Sequence, residues 1–114
     1  MSHDWRLRLD DLIESAEKIG RLVDGKDLET FQLNEAIFDA VLFNLQVIGE
    51  SVKGIPAEIK AEIPGRDWSL PARLRDLIAH HYFDLDAGLI WHTASVEIPK
   101  ILVDAKILKE KYQA

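Results

Sequence analysis

Apolar residues recur every three or four positions along most of this chain, which is the spacing of helices that bury one face. The first such stretch covers residues 4–23, and Gly25 can end it. The second covers residues 34–53, opened by Asn34 or a neighbouring residue and stopped by Gly54. No stretch shows the alternation of apolar and polar residues that indicates a strand. The pattern predicts an all-α protein.

The second helix is predicted to be apolar on more than one side. Leu42, Phe43 and Val47 widen its main stripe, so we expect this helix to be central or to meet a second subunit. Gly49 costs about 1 kcal/mol relative to alanine inside a helix, which predicts close approach of another helix at this point. The main stripe consists of Ile37, Val41, Leu45, Ile48 and Val52.

The following part of the chain is predicted to contain shorter helices and turns. A short helix is expected over residues 57–62, followed by a turn at 64–67. A longer helix is expected to begin near residue 70, where Ser69 is a suitable N-cap. Pro71 suits its first turn, because a fixed φ favours the helix and a missing N–H costs nothing there.

The last helical stretch follows Asp84 or Asp86, either of which can cap it. Pro99 is expected to break or kink this helix, and the helical spacing continues beyond the proline to a charged tail. Together the elements predict an up-and-down bundle of four long helices plus short ones. At this length we expect one domain, residues 1–114.

The helix that begins near residue 70 carries the densest group of chemically active side chains. Arg75, Asp76, His80 and His81 flank its buried stripe. Asp76 and His80 are four residues apart and are expected to share a face. Arg75 is seven residues from Tyr82, so these two would nearly eclipse each other if the helix continued. The stripe is expected to consist of Leu74, Leu77, Ile78 and Tyr82.

Composition limits the classes of partner that the chain can bind. A formal net charge of −6 argues against binding nucleic acid over the whole surface, since such binding rests on lysine and arginine contacts to phosphates. Any such contact must be local, and Arg66, Arg73 and Arg75 supply a patch. The chain has no cysteine, no long apolar run and no apolar leader, so we expect a cytoplasmic protein without membrane contact.

Arg75, His80 and Tyr82 are spaced as R-x-x-x-x-H-x-Y. This motif resembles the signature of HepT-type toxins, the ribonuclease halves of bacterial and archaeal toxin–antitoxin pairs within the HEPN superfamily. The chain is also similar to the family pattern at Ala40-Val41 and over residues 48–52, 64–68 and 86–91, and the resemblance covers roughly residues 5–103. The family usually has asparagine where this chain has Asp76.

The resemblance implies an HEPN-like fold and a metal-independent endoribonuclease, with RNA as the substrate and no DNA or cofactor expected. In such an enzyme His80 takes the proton of a ribose 2′-OH or delivers one to the leaving 5′-oxygen. Arg75 holds the phosphate and stabilises its developing charge. Asp76 would fix the imidazole tautomer, and Glu50 would orient Arg75. Further RNA contacts are expected from Arg66, Arg73 and His81.

The resemblance also implies two protein partners. Arg75 and His80 point about 140° apart around a regular helix, so either the arginine bends back or a second copy completes the site. The family resemblance favours a homodimer with a shared cleft. Tyr82 matches the tyrosine that a partner nucleotidyltransferase antitoxin modifies with AMP.

Structural alternatives remain open for these residues. His80 at the edge of a buried stripe is also explained by a hydrogen bond to Asp76, and Glu50 by an ion pair at the boundary of the core. The alternative function is a catalytically inactive helical module that docks a nucleotidyltransferase or binds nucleotide. The histidines at positions 3, 80, 81 and 92 form no H-E-x-x-H motif, so no metal site is expected.

Overall fold

A computed structural model describes residues 4–113, and every regular element within them is helical, as predicted. His3 and the two ends of the predicted domain lie outside the described residues. The α-helices are α1 (Trp5–Val23), α2 (Leu28–Leu33), α3 (Glu35–Lys53), α4 (Ala57–Lys60), α5 (Ser69–His80), α6 (Ala87–His92) and α7 (Ile98–Tyr112). A 3₁₀ turn (Tyr82–Asp84) follows α5, and a π segment (Thr93–Glu97) joins α6 to α7. None of the described helices is both long and apolar enough to span a membrane.

The core forms where α1 packs against α3 and α7, while α5 packs on another side of α3. The predicted apolar stripes of α1 and α3 are buried there, with Leu12, Ile19 and Ile48 fully inaccessible to solvent. Contact with helices on two sides explains the width of the apolar face of α3. This helix is therefore central, which is one of the two alternatives expected from its sequence. Part of that face stays outside the core, since Phe43 is 63% exposed.

The long helices begin and end where the capping residues predict. Asp4 caps α1 by accepting the backbone N–H of Arg6 at 2.9 Å, and Asn34 caps α3 by accepting that of Ile37 at 3.1 Å. Gly25 follows α1 with a φ of 71°, a backbone conformation that glycine adopts without strain. These local hydrogen bonds set the boundaries of α1 and α3.

The start of α5 differs from the prediction in one respect. Ser69 is the first residue of the helix and not its N-cap. Asp67 supplies the acceptor instead, since its carboxylate accepts both the backbone N–H and the hydroxyl of Ser69, at 3.1 and 2.6 Å. The hydroxyl of Ser69, followed by the guanidinium of Arg73, lowers the pKa of Asp67. Pro71 lies in the first turn, as predicted.

The end of α5 corrects a second expectation. The helix stops at His80, and His81 leaves the helical conformation with φ −134° and ψ 35°. Asp86 already caps α6, and the 3₁₀ turn occupies the short connection between the two helices. Tyr82 is therefore 46% exposed and does not belong to the buried stripe of α5. The predicted eclipsing of Arg75 and Tyr82 is wrong for the same reason.

Pro99 does not end the last helix, which continues to Tyr112. The irregularity expected at the proline takes the form of the π segment before it, where the backbone N–H of Ile98 donates to the carbonyl of Thr93, five residues earlier. A proline lacks an N–H and crowds the carbonyl four residues before it. The wider π turn accommodates both effects, so α6, the π segment and α7 form one continuous helical run.

Candidate functional site

The candidate site lies where α3 and α5 are in closest contact. A Cβ atom added at Gly49 would lie 2.5 Å from the backbone oxygen of Pro71 and would also overlap the Cβ of Arg75. This confirms that Gly49 permits close approach of another helix. The contact fixes the root of the Arg75 side chain against α3.

Two carboxylates hold the guanidinium of Arg75. Its Nε lies 3.4 Å from an Oε of Glu50 on α3, and one of its terminal nitrogens lies 3.3 Å from an Oδ of Asp76 on α5. The side chain of Arg75 is still 36% exposed. The structure thus brings together three of the predicted site residues, and the ion pair expected between Glu50 and an arginine is formed.

Lys53, in the last turn of α3, completes this network. Its Nζ lies 3.1 Å from the same Oδ of Asp76 that Arg75 contacts. The hydrogen bond from Lys53, followed by that from Arg75, lowers the pKa of Asp76. The network therefore contains two cations and two carboxylates, with one Asp76 oxygen shared by both cations.

His80 is exposed at the last residue of α5. Within residues 4–113, no side chain forms a hydrogen bond or an ion pair with its imidazole. The hydrogen bond expected between His80 and Asp76 is therefore not formed, because the Asp76 carboxylate is directed to Arg75 and Lys53 instead. The imidazole remains accessible for proton transfer.

Arg75 and His80 both lie within α5, so they project about 140° apart around its axis. The Arg75 side chain reaches toward Glu50 and Asp76 and not toward the imidazole. One copy of the chain therefore does not bring the arginine and the histidine together.

Tyr82 lies at the surface beside the other end of α3. Its hydroxyl donates a hydrogen bond to an Oδ of Asp39 at 3.2 Å. This hydrogen bond and the charge of Asp39 raise the pKa of Tyr82, with a smaller effect from Glu35. The ring meets that of Phe83 edge to face with centroids 5.3 Å apart, and Phe83 itself is 95% exposed.

The remaining predicted RNA contacts differ in their exposure. Arg66 forms an ion pair with Asp104 of α7 at 2.5 Å, and both side chains are largely buried, so this arginine ties the turn before α5 to α7. Arg73 is directed to Asp67 at 3.2 Å and to Ser69, and is exposed. His81 is exposed after the end of α5. Arg66 is therefore engaged inside the fold, whereas Arg73 and His81 stay at the surface.

Two residues of the site were not predicted from the sequence, although a signal for each exists. Lys53 follows Gly49 by four residues, so a glycine that faces α5 implies that Lys53 faces it too. Asp39 precedes Glu50 by eleven residues, which is close to three full turns and places both on one face of α3. Among the described residues, no group of three or more histidine, aspartate or glutamate side chains is arranged to hold a metal ion.

A family model described as "Ribonuclease HepT-like" matches residues 12–108. The chain belongs to this family. The match confirms the resemblance that the spacing of Arg75, His80 and Tyr82 indicates. No solved structure gives a significant match to the chain.

Curated relatives carry related names. A protein of Methanocaldococcus jannaschii named "Putative RNase" is 37% identical over 108 residues, which are 94% of this chain and 89% of the relative. A "Probable ribonuclease HepT" of Thermococcus cleftensis is 33% identical over 93 residues, 82% of this chain and 84% of the relative. A further M. jannaschii protein, named "Gamma-glutamylcyclotransferase and putative RNase", is 31% identical over 111 residues. That alignment covers 96% of this chain but only 50% of the relative.

Proposed function

We propose that this HepT-like protein is a metal-independent endoribonuclease and the toxin of a toxin–antitoxin pair. The observation that carries the proposal is that one short helix, α5, presents both an arginine and a histidine. Arg75 is held by ion pairs but stays accessible. His80 is exposed, and its imidazole has no partner among the described residues. A fixed cation can stabilise charge on the phosphate, and an available imidazole can transfer the proton, in metal-independent cleavage of RNA.

The reaction follows from these two groups. Arg75 binds the scissile phosphate, and His80 takes the proton of the ribose 2′-OH. The 2′-oxygen then attacks phosphorus, the bond from phosphorus to the 5′-oxygen breaks, and the departing 5′-oxygen takes up a proton from solvent. The products are a 2′,3′-cyclic phosphate and a 5′-hydroxyl. Proton transfer by a positioned side chain contributes about 10²–10⁴-fold to such a rate.

A homodimer would solve the geometric problem within one chain. The arginine of one copy and the histidine of the other can act on the same phosphate if two α5 helices face each other. The exposed Phe43 on α3 and the exposed Phe83 beside Tyr82 supply apolar surface on this side of the molecule. Arg73 and His81 are exposed on and beside α5, and we propose them as additional RNA contacts. Arg66 is left out because its guanidinium pairs with Asp104.

We propose Tyr82 as the residue that a nucleotidyltransferase antitoxin modifies with AMP. Its hydroxyl is at the surface, where it donates a hydrogen bond to Asp39. An adenylyl group there would add bulk and negative charge at the end of the helix that carries Arg75 and His80. This would oppose the binding of an RNA phosphate.

RNA cleavage in the presence of EDTA tests the proposed activity. We expect the wild type to cleave RNA and to leave 2′,3′-cyclic phosphate ends, and His80→Ala to be inactive. His92→Ala is the matched control, because His92 is an exposed histidine on α6. Activity that disappears with EDTA and returns with magnesium would contradict the proposed mechanism.

Sedimentation at micromolar concentration tests the dimer. We expect a species of twice the chain mass, and only a 13.0 kDa species would contradict it.

One observation favours a second function, a catalytically inactive module that docks a nucleotidyltransferase or binds nucleotide. Both Glu50 and Asp76 contact Arg75, and two carboxylates beside a cation disfavour binding of a phosphate. The cleavage assay in EDTA separates the two functions, because the inactive module leaves RNA intact while still binding its partner.

A further inference from the structure

Asp76 presents a problem for any site that binds phosphate through Arg75. A carboxylate oxygen 3.3 Å from the guanidinium offsets its charge and repels an incoming phosphate. Glu50 adds a second carboxylate at 3.4 Å. Without another cation, the group around Arg75 would carry a net negative charge and would bind an anion poorly.

Lys53 supplies that cation, through a contact that the packing of the helices determines. Its Nζ lies 3.1 Å from the Asp76 oxygen that also contacts Arg75. The two residues are 23 positions apart in the chain and lie on different helices. Gly49, one turn before Lys53, allows α3 and α5 to approach closely enough for the lysine to reach. A cation in the last turn of α3 also opposes the negative end of the helix dipole.

We infer that Lys53 is a positioning residue of the phosphate site, which neutralises Asp76 so that the charge of Arg75 remains available to an RNA phosphate. This inference rests on the proposed ribonuclease function. Lys53 is not assigned contact with the reacting atoms. Its effect passes through Asp76, so it should disappear when position 76 carries no charge.

The test compares four variants at one fixed salt concentration: Lys53→Met, Lys53→Arg, Asp76→Asn and the double variant with Lys53→Met and Asp76→Asn. Three quantities are measured: kcat and KM for a short RNA, and the Kd for the same sequence with 2′-O-methyl groups, which cannot be cleaved. The matched control is Lys18→Met, since Lys18 is also a half-exposed lysine in an ion pair, with Glu14 on α1. Melting temperatures check that every variant is folded.

We expect Lys53→Met to weaken RNA binding and to lower kcat/KM by about fivefold, the upper range for an exposed ion pair. The loss should fall mainly on KM. Lys53→Arg should retain wild-type values, and the double variant should recover to within about twofold of them. Lys18→Met should match the wild type.

Two results would overturn the inference alone. The first is a Lys53→Met protein with wild-type Kd and kcat/KM. The second is a double variant as weak as Lys53→Met, which would make Lys53 a direct RNA contact that does not act through Asp76. If the wild type binds RNA without cleaving it, the proposed catalysis fails, while the Kd values still decide the role of Lys53. A wild type that neither binds nor cleaves RNA overturns both.

Discussion

The two ends of the contact between α3 and α5 are built in opposite ways. At one end Gly49 brings the helices into direct contact, and the side chain of Arg75 is held by ion pairs from both helices. At the other end α5 has already stopped, and Tyr82 is joined to α3 by one hydrogen bond of 3.2 Å from its hydroxyl to Asp39. The first end is rigid by packing, while the second presents exposed side chains.

This difference matches what each end is proposed to do. A residue that binds a phosphate benefits from a fixed position, because the entropy of orienting it is then lost on folding and not during the reaction. A residue that another protein modifies must be accessible, and a short turn at the surface provides this. Loss of the packing at Gly49 should therefore affect stability, whereas changes at Tyr82 should not.

Removing the proposed chemistry is expected to have the largest effect. Arg75→Ala and His80→Ala should each lower RNA cleavage by about 100-fold or more and relieve toxicity in a growth assay, because they delete the phosphate clamp and the proton-transfer group. Both side chains lie outside the core, so melting temperatures should stay close to that of the wild type. A His80→Ala protein that is as toxic as the wild type would refute the catalytic role.

Gly49→Ala tests the close approach of α3 and α5 at the packed end. Alanine is the better helix former by about 1 kcal/mol, but here its methyl group would overlap Arg75 and the Pro71 carbonyl. We expect a net loss of about 1–3 kcal/mol in the free energy of unfolding, measured by urea denaturation. Gly20→Ala is the matched control on α1, because nothing lies within 4 Å of its added Cβ. That control should be stabilised, and equal behaviour of both variants would contradict the close approach.

Acid should weaken the packed end through Asp76. The lowered pKa of Asp76 means that its carboxylate stabilises the folded state above the usual value of 3.8, and that this stabilisation is lost as the pH falls through the lower folded-state pKa. The difference in melting temperature between the wild type and Asp76→Asn should therefore narrow on acidification. In a Lys53→Met background the narrowing should be smaller, since Lys53 is the main cause of the lowered pKa. If the difference in melting temperature between the wild type and Asp76→Asn stays the same as the pH is lowered below 3.8, the ion-pair network around Asp76 is contradicted.

Tyr82→Phe should have the smallest effect on the protein itself. It keeps the exposed ring and removes one surface hydrogen bond, so stability should change by no more than about 0.5 kcal/mol and RNA cleavage should persist. The variant should nevertheless resist neutralisation by the nucleotidyltransferase, because the hydroxyl that would carry AMP is gone. Tyr112→Phe is the matched control and should remain sensitive. Normal neutralisation of Tyr82→Phe would refute the regulatory role.

We could predict the helical class, the positions of α1 and α3, and the family from the sequence alone. Apolar spacing and capping residues are local features, and the hydrogen bonds of Asp4 and Asn34 at the helix ends are local too. The helix contact at Gly49 was also predicted from the sequence. A glycine inside a helix lowers the stability of that helix, so its presence indicates a position where a side chain would not fit. The pairing of Glu50 with an arginine was predicted from its position at the boundary of the core, and it is formed with Arg75.

How the helices pack determines which charges meet and where α5 stops. Asp76 was expected to pair with His80 on its own helix, but Lys53 from α3 reaches the carboxylate across the helix contact. Arg66 was expected at the RNA surface, and Asp104 of α7 holds it instead. Tyr82 was expected in the buried stripe, yet α5 ends before it, so the side chain is exposed and its hydroxyl bonds to Asp39. Each of these partners is distant in sequence. Helical spacing can place Lys53 or Asp39 on a face of α3, but it does not say which side chain that face meets, because packing decides this.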